Sequence, residues 1–230
     1  MFTGIVGGVG RIVQTQALGT SAAHGLRAEV QAPPGLLDDV ALGDSIAING
    51  ACMTVTDLDV AARRFHIDVS AESLDKTVGL ASPGPVNLEK SLRAHDRLGG
   101  HLVSGHVDGV GVVRAFSASG ESHTLCVRAA ASLARYLAVK GSVTVNGVSL
   151  TVNRVADFYE RPQAALPPPP EGDEEPSGGR AFPHEGCEFE INLIPHTLQV
   201  TTLGALQTGQ RVNLEIDLIA RYVERMLGQR

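Results

Sequence analysis

Two histidines, His101 and His106, stand five residues apart in the run Gly99-Gly100-His101-Leu102-Val103-Ser104-Gly105-His106. Imidazole titrates near neutrality, so the pair suits general acid–base work. Two turn histidines bonding the backbone, or two metal ligands, are the other readings of these residues. Neither an HExxH motif nor a Cys/His ligand set surrounds them, and His95, Asp96 and Asp108 make no recognisable metal pattern, so no metal is expected. Cys52 and Ser149 each precede a threonine by two residues, Thr54 and Thr151. On a strand that spacing puts both polar side chains on one face, where they can bond a flat polar ligand. A small buried thiol that only packs is the alternative for Cys52. A third candidate, Leu193-Ile194-Pro195-His196-Thr197-Leu198, ends a strand with a proline and parallels Val69-Ser70-Ala71-Glu72-Ser73-Leu74. Backbone groups freed at a strand end can bond a heterocycle, with Thr197 and Ser73 supplying hydroxyls. An ordinary strand terminus is the plainer reading.

These residues come in pairs because the chain repeats itself. Gly4–Gly10 recurs as Gly105–Gly111, 101 residues on, and Ser45–Val55 recurs as Ser142–Val152, 97 on. Phe65–Val69 recurs as Phe189–Leu193 after 124 residues, and Val86–Glu89 as Val212–Glu215 after 126. Four blocks in one order imply two homologous domains in tandem, expected over 1–97 and 98–216, with a terminal segment over 217–230. The jump in offset from 97 to 124 places an insertion in the second copy, at about 161–186, where Pro, Gly and acidic residues dominate. Such a composition cannot bury enough apolar surface to offset its ordering, so a solvated loop is expected.

Period-two alternation in Ser45–Ile48, Phe65–Val69, Glu188–Leu193 and Arg211–Ile216 predicts half-buried strands. Asn49-Gly50 and Asn146-Gly147 separate apolar-periodic runs and predict tight hairpin turns. Many short strands in units of about 100 residues suggest small closed barrels, since closure removes exposed edges. Gly4–Gly10 is not a dinucleotide loop: no strand precedes it, and Arg11–Thr15 reads as strand rather than helix. Its glycines are expected at bulges or bends of a barrel corner. Leu218, Ile219, Tyr222, Val223, Met226 and Leu227 recur at helical spacing, with Asp217 placed to cap and Gly228 to end the helix. Its apolar stripe either folds back on its own domain or meets partner helices.

The 230 residues are 43% apolar and 19% charged, with 26 Gly, 12 Pro and no Trp, which argues against a coiled coil. A net charge of −6 removes the electrostatic footprint of a nucleic-acid or anionic-membrane binder. Three scattered cysteines suggest neither a disulfide framework nor a zinc site. The N-terminus does not read as a signal peptide, and no apolar run approaches the roughly 18 residues of a membrane span. A cytoplasmic protein is the expectation.

Met1–Val6, Asn49–Val55, Gly100–His106, Asn146–Val152, Asn192–Leu198 and Asn213–Asp217 together resemble the riboflavin synthase family, alpha-chain type. The likeness runs from Met1 to the terminal helix and breaks only at the insertion, a departure from the family's usual length. It implies an all-β fold of two six-stranded Greek-key barrels plus a C-terminal helix that trimerises the chain. It further implies that two molecules of 6,7-dimethyl-8-ribityllumazine dismutate, one giving a four-carbon unit to the other, to yield riboflavin and a ribitylamino-pyrimidinedione. No cofactor is required by this chemistry. In the family the N-terminal barrel of one chain faces the C-terminal barrel of a neighbour, each holding one lumazine. Association with lumazine synthase is also expected.

By the family pattern the first-barrel site takes Gly4, Ile5, Val6, Cys52, Met53, Thr54, Asp68, Val69, Ser70, Ala71, Glu72 and Ser73. The second takes Gly105, His106, Val107, Lys140, Ser149, Leu150, Thr151, Leu193, Ile194, Pro195, His196, Thr197 and Leu198. His106 is then the principal proton-transfer group and His101 its support. Cys52 and Ser149 act as nucleophile or water-positioning pair, and Asp217 stands behind them. A non-catalytic lumazine or flavin antenna protein is the alternative; it needs only one competent site, whereas both copies here keep their polar residues.

Overall fold

Ala51, Met53 and Val55 are buried while Cys52 and Thr54 face outward, so the alternation in Ala51–Asp59 separates a core face from an outer face. A computed structural model describes residues 1–21, 23–158 and 186–228, and the same alternation recurs through its strands. The first half supplies β1 (Gly8–Ala17), β2 (Leu26–Gln31), β3 (Ser45–Ile48), β4 (Ala51–Asp59), β5 (Arg64–Val69) and β6 (Gly84–Lys90). They close into an antiparallel barrel in the order β1-β2-β5-β4-β3-β6. The second half supplies β7 (Gly109–Ser119), β8 (Ser122–Ala130), β9 (Ser142–Val145), β10 (Val148–Phe158), β11 (Gly186–Leu193) and β12 (Arg211–Ile216). Their closed order, β10-β11-β8-β7-β12-β9, is the same circuit entered at another strand. In each barrel three consecutive strands are joined by a fourth that returns beside the first of them, which is the Greek-key arrangement. Phe65 and Ile67 fill one interior, Phe189 and Ile191 the other.

The two Asn-Gly turns form as expected. Asn49 and Gly50 have φ of 47° and 84°, and Asn146 and Gly147 have 47° and 78°, the double positive φ of a type I′ hairpin. Of the paired glycine runs, Gly4 and Gly105 stand at bends with φ of 74° and 80°, as expected, but no glycine of the first strands marks a bulge. The bulges lie at Ile12/Gln14 and Val113/Ala115, past the glycines, with a second pair at Val55/Asp57 and Val152/Arg154. Gly10 instead lets strands approach: a Cβ there would meet Leu88 at 2.4 Å. Among the described residues, four α-helices, α1 (Ala71–Lys76), α2 (Ala131–Ala134), α3 (Pro195–Val200) and α4 (Leu218–Leu227), and a 3-10 turn over Thr202–Ala205 complete the fold.

The barrels meet about an approximate two-fold. Phe2 and Val103 pair as an antiparallel bridge and, with Ala47, form a small core between the barrels. The two hairpin turns abut so closely that a Cβ on Gly50 would lie 2.8 Å from the Gly147 nitrogen. Four asparagines then cross-tie the halves. Asn87 Nδ2 donates to the Asn146 carbonyl at 2.9 Å, and Asn213 Nδ2 donates to the Asn49 carbonyl at 3.0 Å. Both of these bonds join a backbone carbonyl to a buried side-chain amide, so parting the barrels would leave polar groups unpaired.

Asp217 caps α4 through the Ile219 amide, and Gly228 ends it. Its polar side is tied down by Arg221 on Asp108 and Glu224 on Arg135. That leaves Ile219, Tyr222, Val223, Met226 and Leu227 outermost, Met226 being 69% exposed. The apolar stripe therefore does not fold back on its own barrel. Among the described residues no helix is long and apolar enough to cross a membrane. The insertion over 161–186 lies outside them except for Gly186, which opens β11.

Candidate functional site

Cys52 and Thr54 on β4, and Ser149 and Thr151 on β10, project from the outer faces of their barrels because the buried residues alternate with them. Met53 and Leu150 point inward and join the cores, so of the predicted site residues these two can meet a ligand only through their backbone. Val69 and Leu193 are interior for the same reason. The segments that follow are not bare strand ends. Ser70 caps α1 by accepting from the Ser73 amide at 3.0 Å, and Pro195 stands at the first turn of α3. The Ser-x-x-Ser spacing and the N-terminal proline were the signals for these helices. Ala71, Glu72 and Ser73 therefore lie on α1, and His196, Thr197 and Leu198 on α3, with Glu72, Ile194 and His196 exposed. Asp68 lies on the outer face of β5, where the Arg27 guanidinium holds its carboxyl below the usual carboxylate range.

The family pattern groups Gly4–Val6 with Cys52 and Gly105–Val107 with Ser149, whereas in the structure Gly4 lies against Ser149 and Gly105 against Cys52. The Gly4 carbonyl accepts from the Ser149 amide at 2.7 Å, and the Gly105 carbonyl accepts from the Cys52 amide at 2.8 Å. Val6 and Leu198 of α3 both pack against the second barrel's core, while Val107 and Leu74 of α1 both pack against the first barrel's core. Each segment precedes the first strand of its own barrel and crosses the two-fold to lie on the other. Two surfaces result. One joins Cys52 and Thr54 to Gly105, His106 and Val107; the other joins Ser149 and Thr151 to Gly4, Ile5 and Val6. Lys140, at φ 68°, bonds through its amide to the Val152 carbonyl, beside the second surface, and its side chain is exposed.

His101 belongs to the Ser149 surface. Its Nδ1 lies 2.8 Å from Ser149 Oγ, and its amide donates to the Thr3 carbonyl at 3.1 Å. Burial holds the imidazole below its ordinary value, opposed in part by the Asp217 charge. A neutral ring in this position can accept from or donate to the serine hydroxyl, which orients it. His106 is exposed, with its amide donating to Ser104 Oγ at 3.3 Å. The two histidines thus serve different surfaces. Cys187 is buried within the second barrel, where burial pushes its thiol up to about 11, so it is inert packing. Among the described residues no cluster of His, Cys, Asp and Glu could hold a metal ion.

Two buried carboxylates were missed as site residues. Glu89 on β6 and Glu215 on β12 hold the crossing segments, and their matched place in the repeat was the available signal. A cavity of about 530 Å³ opens beside Thr3, Ile5 and Glu89, rimmed by Asp39, Lys90 and Arg93. Cys52, His106, His101 and Ser149 are not among its lining residues.

Comparison with known proteins bears on this doubled arrangement. The model of the lumazine binding domain matches residues 3–91 and again 104–217. The chain is 39% identical to the riboflavin synthase of Mycobacterium tuberculosis strain H37Rv, over 99% of this chain and 98% of that protein. It is 37% identical to the riboflavin synthase of Actinobacillus pleuropneumoniae, over 99% of this chain and 90% of that one. Among solved structures, LumP complexed with 6,7-dimethyl-8-(1'-D-ribityl) lumazine superposes with a TM-score of 0.68 at 22% identity, covering 94% of this chain and 99% of that chain.

Proposed function

The chain belongs to the lumazine-binding family of the riboflavin synthases, and on that premise we propose that it dismutates two molecules of 6,7-dimethyl-8-ribityllumazine to riboflavin and a ribitylamino-pyrimidinedione. The observation that carries this reading is the presence of two surfaces of one design, each completed by a segment from the other half. Identical substrates that must react with each other need two like sites. Holding both in register converts an encounter into an intramolecular step, worth up to about 7–11 kcal/mol.

The reaction requires a ring methyl to lose a proton and a nucleophile to add to the acceptor ring. His106, exposed beside Cys52, suits the proton transfer. The His101–Ser149 pair suits orientation of a hydroxyl or water at the other surface, with Asp217 behind it. Cys52 takes the matching place in the first barrel. Gly4–Val6, Thr54, Asp68–Ser73, Lys140, Thr151 and Ile194–Leu198 complete the substrate contacts. The exposed stripe of α4 supports a homotrimer in which the first barrel of one chain faces the second barrel of the next. The same reading takes in a cytoplasmic location and an association with lumazine synthase, which co-sedimentation tests.

The test is to mix the purified protein with the lumazine alone. Growth of riboflavin absorbance, one riboflavin per two lumazines consumed, is expected. A stable fluorescent complex without turnover overturns the proposal and leaves an antenna protein. His106→Ala is expected to lose most of the turnover while still binding ligand; near-normal dismutation removes His106 from the role given to it.

A further inference from the structure

Glu89 and Glu215 occupy matched positions near the ends of β6 and β12, and only 8% and 2% of each residue is exposed. Glu89 Oε1 accepts from the Thr3 amide at 2.7 Å and from Thr3 Oγ at 2.6 Å, while Oε2 accepts from the Gly4 amide at 3.0 Å. While its O–H donates to the carboxylate, Thr3 Oγ accepts from the Ile5 amide at 3.0 Å. The second copy repeats every contact. Glu215 accepts from the Ser104 amide and hydroxyl, both at 2.7 Å, and from the Gly105 amide at 3.0 Å. Ser104 Oγ in turn accepts from the His106 amide at 3.3 Å. One carboxylate and one hydroxyl thus fix three successive amides, and the glycine between them hands its carbonyl to the opposite barrel.

We infer that Glu89 and Glu215 are positioning residues for the two sites, each clamping the crossing segment that completes the surface on the opposite barrel. The inference rests on the lumazine reading of those surfaces. A buried carboxylate is costly unless donors surround it, and an apolar residue would hold a barrel together at lower cost. Burial indeed pushes both carboxyls above their ordinary range, with the segment's own donors pulling them back. Among the described residues, the groups that bond these carboxylates are those of the two segments. The clamps differ in what they present. Glu89, through Thr3, sets Ile5, which carries no proton to transfer. Glu215, through Ser104, sets His106. Loss of the first clamp is therefore read mainly as weakened binding, and loss of the second as slower chemistry.

The experiment compares Glu215→Gln, Ser104→Ala, Ser104→Thr and Glu89→Gln in the full chain, by steady-state dismutation, lumazine fluorescence titration and urea unfolding. Displacing a catalytic group by about 1 Å costs on the order of 100-fold. Glu215→Gln and Ser104→Ala are expected to lower kcat at least tenfold with KM within about threefold, a loss confined to the transition state. Ser104→Thr is expected to restore kcat, because threonine fills this place in the first copy. Glu89→Gln is expected to raise KM and weaken one of two lumazine binding events. Ser104→Ala removes a hydroxyl without touching the carboxylate, so it keeps the test decisive should Glu215→Gln fail to fold. Variants that lose urea stability yet keep kcat and KM within twofold of the unmodified chain overturn the inference. Absence of turnover in the unmodified chain would instead overturn the function; the clamps are then read from the titration, where unchanged stoichiometry and affinity in all four variants overturn them.

Discussion

The carbonyl of Gly4 accepts a hydrogen bond from the amide of Ser149 at 2.7 Å, tying the first residues of the chain to the barrel built from its second half. Gly105 and Cys52 make the reciprocal contact at 2.8 Å. Each barrel closes on its own six strands, but each carries on its outer face a segment that belongs to the other half. The duplication therefore yields one interlocked unit with two like surfaces, rather than two independent modules on a tether.

The crossing is tight enough to be tested at the glycine itself. Gly4 has φ of 74°, and a Cβ there would lie 2.6 Å from Ser149 Cβ. Gly4→Ala combines left-handed strain with overpacking and is expected to cost about 2–4 kcal/mol in urea unfolding. Gly43, at φ 88° with nothing within 4 Å, carries the strain alone. Gly43→Ala is expected to cost about 1–2 kcal/mol. Equal costs for the two variants would mean that the approach to Ser149 contributes nothing.

The Asn213 side chain makes three hydrogen bonds to the first half. Its Nδ2 donates to the Asn49 and Val78 carbonyls, both at 3.0 Å, and its Oδ1 accepts from the Val78 amide at 2.8 Å. Asn213→Asp sets a charged oxygen against two carbonyls while keeping the volume. It is expected to destabilise by about 3 kcal/mol or more, exceeding Asn213→Ala at about 1–3 kcal/mol. Thermal unfolding at neutral pH checks the order, and an aspartate variant as stable as the parent refutes it.

Burial places the His101 imidazole below its ordinary value of 6.5, with Asp217 opposing. The folded chain then binds this proton less readily than the unfolded chain. The contribution to stability is full above about 6.5 and is lost as pH falls through the folded value. An NMR titration of the His101 ring is expected to show a midpoint below 6.5, and His101→Gln to flatten stability against pH in that window. A midpoint at or above the ordinary value contradicts the buried, Ser149-bonded ring.

The outer stripe of α4 governs assembly if the trimer proposal is right. Met226→Lys places a charge at the centre of the contact without touching Arg221–Asp108 or Glu224–Arg135, which hold the helix to its barrel. Sedimentation equilibrium is expected to fall from three chains to one of 24.1 kDa with the β-sheet circular dichroism unchanged. An unaltered mass would exclude the stripe as the interface.

Much of the fold could be read from local pattern. Alternation in Ser45–Ile48 and Phe65–Val69 marks strands because one face of a closed barrel must be apolar. Asn49-Gly50 and Asn146-Gly147 mark hairpins because few other pairs tolerate two positive φ values. The short helices α1 and α3 escaped that reading, since six residues show too little of a helical period to outweigh the strand before them. The bulges at Ile12/Gln14 and Val55/Asp57 escaped it as well, because a bulge adds a residue to a strand without breaking its composition.

The candidate site divides along the same line. Cys52, Ser149, His101 and His106 stand out in one dimension because residue type and repeat position are properties of the chain. Their partnerships are not. Comparing the copies matches Gly4 with Gly105 but cannot say against which barrel either lies, since a connecting segment has no period and its contacts are made by backbone amides common to every residue. The same holds for Glu89 and Glu215, acidic residues in strands until folding buries them among the amides of Thr3 and Gly4, and of Ser104 and Gly105. Residue pattern alone thus established two barrels and their polar residues. Packing across the two-fold decided the rest, because which groups satisfy a buried charge depends on distances in space that no spacing along the chain encodes.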